Sequence, residues 1–340
     1  MMSSIRKTLG RFVPANLHDP LGLFRRLIRS DNKAARYSLR LALTGVIASP
    51  LDLLLLPFER KLYRRARAPQ QPLLFVVGAP RSGTTLTYQL LIRHFDVRFL
   101  TNLTAIFPRS PICAMRFHEP FFSRQAIQYD SYYGRTTALS GQNDGLHVWD
   151  RWFNRGQPEA GESLTANRQE SLVQFWGAFE QAFERPIVNK NNSLIARSHL
   201  VADALPEAHF ICLRRDPLFL AQSLLLARNE IQGSYEIPYG LHEATRESTE
   251  PVEDVCAQVE YHGRLARLQR ETIGNDRFWI VRYEEICREP AELVERVADE
   301  IPGLGPPTSA PRAEPFEPSR KVRVDEQTFG RLESLLSSQR

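Results

Sequence analysis

Three short segments carry residues whose types and spacing suit the binding of anions. The first begins at Val76 and reads VVGAPRSGTTLTYQLL. An apolar run ends at Gly78, a glycine-bearing turn follows, and helical spacing starts at Thr84. In a strand–turn–helix of this kind the backbone N–H groups of the turn and the first helical turn converge on one point. The helix dipole favours an anion there. Ser82, Thr84 and Thr85 add hydroxyl donors at the helix start. Gly78 to Gly83 has the G-x-x-x-x-G spacing of a phosphate loop, whose next residue would be the lysine that reaches the outer phosphates of a nucleoside triphosphate. That residue is Thr84, and the cation stands inside the loop as Arg81. The apolar run HFICL at 209–213 leads into Arg214 and Arg215, with no carboxylate at its end for magnesium. The loop therefore fits an anion other than a triphosphate.

The second segment is PEAHFICLRRDPLFLAQS, residues 206–223. Arg215 lies at the end of a strand pattern and Ser223 eight residues on, in the helix that follows. A guanidinium fork and a hydroxyl can share one phosphate dianion. Taken alone, Arg214 and Arg215 also suit a surface pair at a strand end. Asp216 and Pro217 read as helix N-terminal devices, an N-cap followed by proline at the first helical position. The third segment is IVNKNNSLIAR at 187–197, with Lys190 at the end of a short strand pattern.

The P-R-S-G-T-T loop at the end of an apolar strand, followed by Arg215 and Ser223, resembles the PAPS-dependent sulfotransferase family in its bacterial and tyrosylprotein-like branch. The resemblance runs from about Leu73 to about Gly303. It implies a P-loop-type α/β fold and the donor cosubstrate PAPS, with no metal. In it the loop residues Gly78, Arg81, Ser82, Gly83, Thr84 and Thr85 hold the 5′-phosphosulfate. Arg81 stabilises the leaving phosphate oxygen, and Arg215 with Ser223 takes the 3′-phosphate. Lys190 matches a lysine beside the transferred sulfuryl, where it would neutralise charge on the equatorial oxygens; a solvated surface lysine is the other reading. Asn191 and Asn192 would orient donor or acceptor. VRYEEICREP at 281–290 resembles the family's strand-then-R-Y-E element, which gives Tyr283 and Glu284 a structural role.

Attack on sulfur needs a group that takes the proton of the acceptor hydroxyl. The family's two usual placements for that base fall on Asn192 and on Thr101 and Asn102, none of which can serve. The segment SGQNDGLHVWDRWF, residues 140–153, resembles a P-N-E-x-G motif of related bacterial members with Asp144 in the glutamate position. Asp144 is the first candidate base and His147 the second, followed by Glu119 and His118. An Asp before Gly is also a common turn residue. Trp149, Trp152 and Phe153 could stack on an acceptor but suit core packing better.

The elements that must position these residues follow from periodicity. LLFVV at 73–77, PIVN at 186–189, HFICL at 209–213 and RFWIV at 277–281 are strand patterns. Helical spacing marks 84–94, 168–183, 217–229, 253–273, 290–300 and 325–337. Strands alternating with helices predict a parallel central sheet flanked by helices. The expected division is a helical segment over 1–72, a sulfotransferase-like domain over 73–303 and a Pro-rich connection with a C-terminal helix over 304–340. Within the domain, 116–165 reads as an insertion that shapes the acceptor site. The four cysteines have no disulfide or metal spacing and suit a reducing compartment.

The chain has 340 residues and a net charge of +5. Residues 1–72 hold fourteen Lys and Arg against four Asp and Glu, a net of +10, which leaves −5 for the remainder. Basic character therefore belongs to the N-terminal segment, and the folded domain does not read as a nucleic-acid binder. Residues 41–58, LALTGVIASPLDLLLLPF, are the most apolar stretch, with arginines and lysines on both sides. Pro50, Asp52 and Pro57 interrupt it. It reads as a membrane-proximal hairpin or interfacial helix on an anionic surface, as a helix packed on the domain, or as a span. The expected location is the cytoplasm, with peripheral attachment at the inner face of the membrane as one outcome. The expected acceptor is a hydroxyl of a glycan or a lipid-linked molecule. The alternatives are a P-loop kinase or NTPase, and a degenerate nucleotide-binding, membrane-associated scaffold.

Overall fold

The computed structural model describes residues 22, 25, 28, 33–121, 136–153, 158, 162–243, 250–308 and 310–337. Four strands form one parallel sheet: β1 (Leu73–Gly78), β2 (Ile187–Lys190), β3 (Ala208–Arg214) and β4 (Phe278–Arg282), in the order β2-β1-β3-β4. β1 is buried at every position, as a strand covered on both faces must be. Its side chains divide by parity. Leu73, Phe75 and Val77 join a core of Trp149, Trp176, Phe179 and Phe210 on one face. Leu74 and Val76 join Tyr88, Ile211 and Val297 on the other.

The helices follow in chain order. Lys33–Ile47 is α1 and Ser49–Arg65 is α2; Thr84–His94, α3, leaves the sheet after β1. The short helices α4 (Asn102–Ile106), α5 (Pro111–His118) and α6 (Leu146–Trp149) precede α7 (Ala166–Phe183). Ser198–Ala204 is α8, Pro217–Ala227 is α9 and Pro251–Ile273 is α10. Tyr283–Arg288, Pro290–Glu300 and Glu326–Ser337 are α11, α12 and α13. The parallel sheet flanked by helices is the architecture that the alternating pattern predicts, and the long elements begin and end within two residues of it, except that α9 passes into a π turn over Arg228–Gln232.

Strand order creates the site. The chain leaves β1 toward β2 on one side, whereas it leaves β3 toward β4 on the other. The crevice between the carboxyl ends of β1 and β3 is thus a topological switch point, the usual ligand position in open α/β sheets. The register pairs Gly78 with Leu213 across that crevice and Val76 with Lys190 on the opposite side of β1.

The apolar N-terminal stretch folds as the helix pair α1 and α2. Among the described residues no single helix is long and apolar enough to cross a membrane; Leu39–Ile47 and Ser49–Arg65 meet that test only together, bent by 70°. The inner face of α2 is fastened to the start of α5 by two fully buried carboxylates. Asp52 accepts from the N–H groups of Arg109 (3.1 Å) and Ser110 (2.9 Å) and from the Ser110 hydroxyl (2.7 Å). Glu59 accepts from the N–H groups of Ile112 (3.1 Å) and Cys113 (2.8 Å) and from the Tyr63 hydroxyl (2.5 Å). The first N–H groups of a helix have no partners within it, and carboxylates there also meet the positive end of the dipole. Leu41 of α1 packs on Leu103 and Ile106 of α4.

Candidate active site

The loop after β1 takes a strained conformation at Arg81 and one that only glycine can take at Gly83. Arg81 adopts φ 71°, a left-handed conformation that few side-chain-bearing residues take. Gly83 has φ 98°, and a Cβ there would lie 2.3 Å from the Tyr283 ring, so only glycine lets the loop settle against α11. Gly78 is equally constrained, because a Cβ would stand 2.8 Å from the carbonyl oxygen of Leu213 on β3. α3 starts at Thr84 with no side-chain cap, leaving the N–H groups of its first turn for a ligand. Ser82 is buried and gives its hydroxyl hydrogen to the Ala79 carbonyl at 2.7 Å, which shapes the loop from within. Thr84 is buried and Thr85 partly exposed.

The two arginines and the serine come together across the crevice. Arg81 Nε donates to Ser223 Oγ at 3.1 Å, and Arg215 Nη1 donates to the Arg81 carbonyl at 3.0 Å. Arg215 also lies over the Tyr283 ring, 5.0 Å from its centroid. Burial pulls the Arg215 guanidinium below its ordinary pKa; Tyr283 and Glu284 oppose this, while Arg81 and Arg323 add to it. Three cations therefore crowd one part of the crevice, where an anion would relieve their repulsion.

The residues behind Arg215 fix its direction. Asp216 caps α9, accepting from the N–H groups of Leu218 (3.0 Å) and Phe219 (3.4 Å), and Pro217 occupies the first turn as expected. The Asp216 N–H in turn donates to Glu284 Oε1 at 2.9 Å. Tyr283 and Glu284 thus act structurally, at the crevice: one supports Gly83 and Arg215, the other anchors the residue after Arg215.

A segment without any recognisable motif also reaches this place. The extended stretch 319–323 crosses α9. Arg215 Nη2 donates to the Ser319 carbonyl at 2.6 Å, Gln222 Nε2 donates to the Lys321 carbonyl at 3.0 Å, and the Arg323 N–H donates to Gln222 Oε1 at 2.7 Å. Its one signal in the sequence is the basic run Arg320, Lys321, Arg323 just after the prolines. α13 then packs on α9 through Phe329 and Phe219, whose ring centroids are 6.0 Å apart.

On the other side of β1, Lys190 ends β2 beside Val76, and the Asn191 N–H donates to the Val76 carbonyl at 3.1 Å. The Lys190 side chain is buried, and its Nζ meets Asp144 Oδ2 at 2.5 Å. Asp144 sits in a turn held by Asn143, whose Oδ1 accepts from the Gly145 N–H at 2.9 Å and whose Nδ2 donates to Asn102 Oδ1 at 3.0 Å. Burial, with the charge of Asp144 beside it, pushes the Tyr88 phenol well above its ordinary pKa, so that hydroxyl stays protonated. His147 is buried on α6, one turn after Asp144. Glu119 lies elsewhere, in an ion pair with Arg98, and His118 precedes it at the end of α5. Trp149, Trp152 and Phe153 are buried in the core. Trp149 packs against Trp176 at 5.4 Å and donates its Nε1–H to Asn189 at 2.9 Å, so the rings serve packing. Part of the stretch 116–165 lies outside the described residues. Among the described residues no three His, Cys, Asp or Glu side chains converge to hold a metal ion.

The structure is similar to the crystal structure of the sulfotransferase STF9 from Mycobacterium avium, at a TM-score of 0.52 and 14% identity over 99% of this chain and 87% of that one. It also matches the sulfotransferase STF1 from Mycobacterium tuberculosis H37Rv at a TM-score of 0.49 and 12% identity, over 98% of this chain and 93% of that one. The STF9 likeness establishes a shared fold. The sequence model of the sulfotransferase family matches residues 72–302, well over half of the chain. The chain belongs to the sulfotransferase family.

Proposed function

We propose that this sulfotransferase takes its sulfuryl group from PAPS and passes it to a hydroxyl of a glycan, a glycolipid or another acceptor, releasing PAP. The observation that carries the donor assignment is the meeting of Arg81, Arg215 and Ser223 over the β1–β3 crevice. A nucleotide with phosphate at both its 5′ and 3′ ends gives this cluster two anions to hold. The uncapped start of α3 and Arg81 would take the 5′ side, and Arg215 with Ser223 the 3′-phosphate. Thr84, where a triphosphate loop carries lysine, argues against a kinase or NTPase reading.

The acceptor oxygen attacks sulfur while the bond from sulfur to the 5′-phosphate oxygen breaks. Asp144 takes the acceptor proton. Lys190 faces the sulfuryl oxygens as charge shifts onto them, and Arg81 with the loop N–H groups meets the charge left on the phosphate. The ion pair between Lys190 and Asp144 supports this pairing of roles, since it sets a proton acceptor beside the cation. Leu139 and Leu146, which flank the Asp144 turn in the sequence, are both exposed and would offer apolar surface to the acceptor.

Calorimetric titration of the whole protein with PAP and with ATP tests the donor. Tighter binding of PAP supports the proposal, and tighter binding of ATP overturns it. Transfer of label from radiolabelled PAPS to glycan and lipid fractions then tests the acceptor class.

A further inference from the structure

We infer that the α1–α2 pair is a docking surface for an anionic lipid bilayer, which it enters by its bend. This inference stands apart from the donor and acceptor assignments. On α2, Asp52 and Glu59 lie seven residues apart and therefore on one face, the face pinned to α5. The opposite face carries the stripe Leu54, Phe58, Lys61 and Arg65, spaced as neighbours along a helix. Leu54 is 68% exposed and Phe58 62%. On α1, Leu43, Val46 and Ile47 are exposed at the end that meets the bend, Ile47 by 79%. Apolar side chains thus gather around the tip of the pair, on surfaces the domain does not cover.

Cations flank that tip on both helices. Lys33, Arg36 and Arg40 are exposed along α1 before its apolar end. Arg60, Lys61, Arg64 and Arg65 are exposed along α2 after its apolar half. The two carboxylates of residues 33–67, Asp52 and Glu59, are both buried in hydrogen bonds to α5, so every exposed ionisable side chain of this span is positive. An apolar wedge with a cationic collar matches an acyl-chain layer below an anionic head-group layer. A second copy of the chain is a poor occupant, because a symmetric contact would set the two collars against each other. The 70° bend keeps the pair from acting as one straight span and suits entry into one leaflet.

The inner end of this surface is one short helix from the candidate site. α4 packs on Leu41 of α1 through Leu103 and Ile106, while Asn102 at its start holds Asn143, the neighbour of Asp144. A docked protein would thus present its candidate base close to the membrane.

Sedimentation of the full chain with vesicles tests this, using phosphatidylcholine alone and phosphatidylcholine with about one third phosphatidylserine. Wild type should sediment with the anionic vesicles, less so in high salt. Replacing Arg60, Lys61, Arg64 and Arg65 together by Gln should weaken binding about a hundredfold or more, at about fivefold per cation. Leu54→Glu with Phe58→Glu should abolish it at unchanged thermal stability, since both side chains are exposed. Absence of binding by wild type, or equal binding by wild type and the Glu variant, overturns the inference. So does a concentration-dependent dimer that the Glu variant abolishes, which would assign the face to a second copy.

Discussion

Arg215 donates through Nη1 to the backbone carbonyl of Arg81 at 3.0 Å, tying the end of β3 to a loop residue held at φ 71°. The contact shows how one guanidinium can serve two ends. Its fork reaches the loop on one side and the Ser319 carbonyl on the other, with Tyr283 beneath it. Replacing Arg215 by Lys keeps the charge but loses the fork and the stacking. Affinity for PAP should fall about ten- to a hundredfold, the worth of one charge-assisted hydrogen bond. Affinity for adenosine 5′-phosphosulfate, which lacks the 3′-phosphate, should change far less. Calorimetry with both ligands checks the difference, and an equal loss for the two would remove Arg215 from the 3′ side.

The Lys190–Asp144 pair gives a prediction for both stability and turnover. Lys190→Met leaves Asp144, partly exposed, without its cation and should cost about 1–3 kcal/mol in urea unfolding. Asp144→Asn leaves the buried Lys190 ammonium without a counter-charge, so it should cost at least as much stability, and it should lower kcat by about 10²–10⁴, the usual worth of a general base, with PAP affinity retained. The double variant should be less destabilised than Lys190→Met alone, because no unpaired charge remains. Wild-type turnover in Asp144→Asn would transfer the role to His147, which lies buried one turn further on.

Much of the fold and of the Arg81–Arg215–Ser223 cluster is legible in the amino-acid sequence. Strand, turn and helix around Gly78–Gly83 obey local rules, and Arg215 and Ser223 lie on one strand–helix unit, where eight residues of spacing fix their relation. The Lys190–Asp144 ion pair joins residues 46 apart, and nothing local in either segment requires it. The stretch 319–323 is harder still, since its contacts with Arg215 and Gln222 run through backbone atoms that carry no sequence signal. Asp52 misleads in the opposite direction. Within LDLLLLPF a carboxylate reads as a break in a membrane helix, whereas it caps a distant helix. Packed helix and interfacial helix are not exclusive choices, because α2 packs by one face and exposes the other.

Those caps can be tested directly. Asp52→Ala with Glu59→Ala removes the acceptors of the N–H groups of Ser110, Ile112 and Cys113. Each orphaned buried donor costs about 1–3 kcal/mol. The expected result is early proteolytic cleavage between α1 and β1, with a lower melting temperature and PAP affinity little changed. Protease resistance equal to wild type would mean that the apolar contacts of Leu41 and Tyr63 hold the pair without the carboxylates.

Acid should loosen the sheet's other flank at a definite histidine. His262 on α10 is buried, and its Nε2 lies 3.1 Å from the Leu241 carbonyl, to which the neutral ring donates. Gln258 donates to the same carbonyl at 2.7 Å. Gly240, the preceding residue, stands so close to Pro80 of the loop after β1 that a Cβ would lie 2.6 Å from its ring. Burial lowers the His262 pKa to about 4, with the Leu241 carbonyl opposing and His242 adding to the fall. The unfolded chain therefore binds this proton first. The stabilisation is whole above the ordinary histidine value of about 6.5 and is lost as pH falls toward 4, a loss of about 3 kcal/mol from this group. His262→Gln keeps a donor for Leu241 and removes the titration. Urea unfolding at pH 7.5 and 4.5 should show wild type losing more stability than the variant across that interval. Parallel losses would show that His262 carries no share of the acid response.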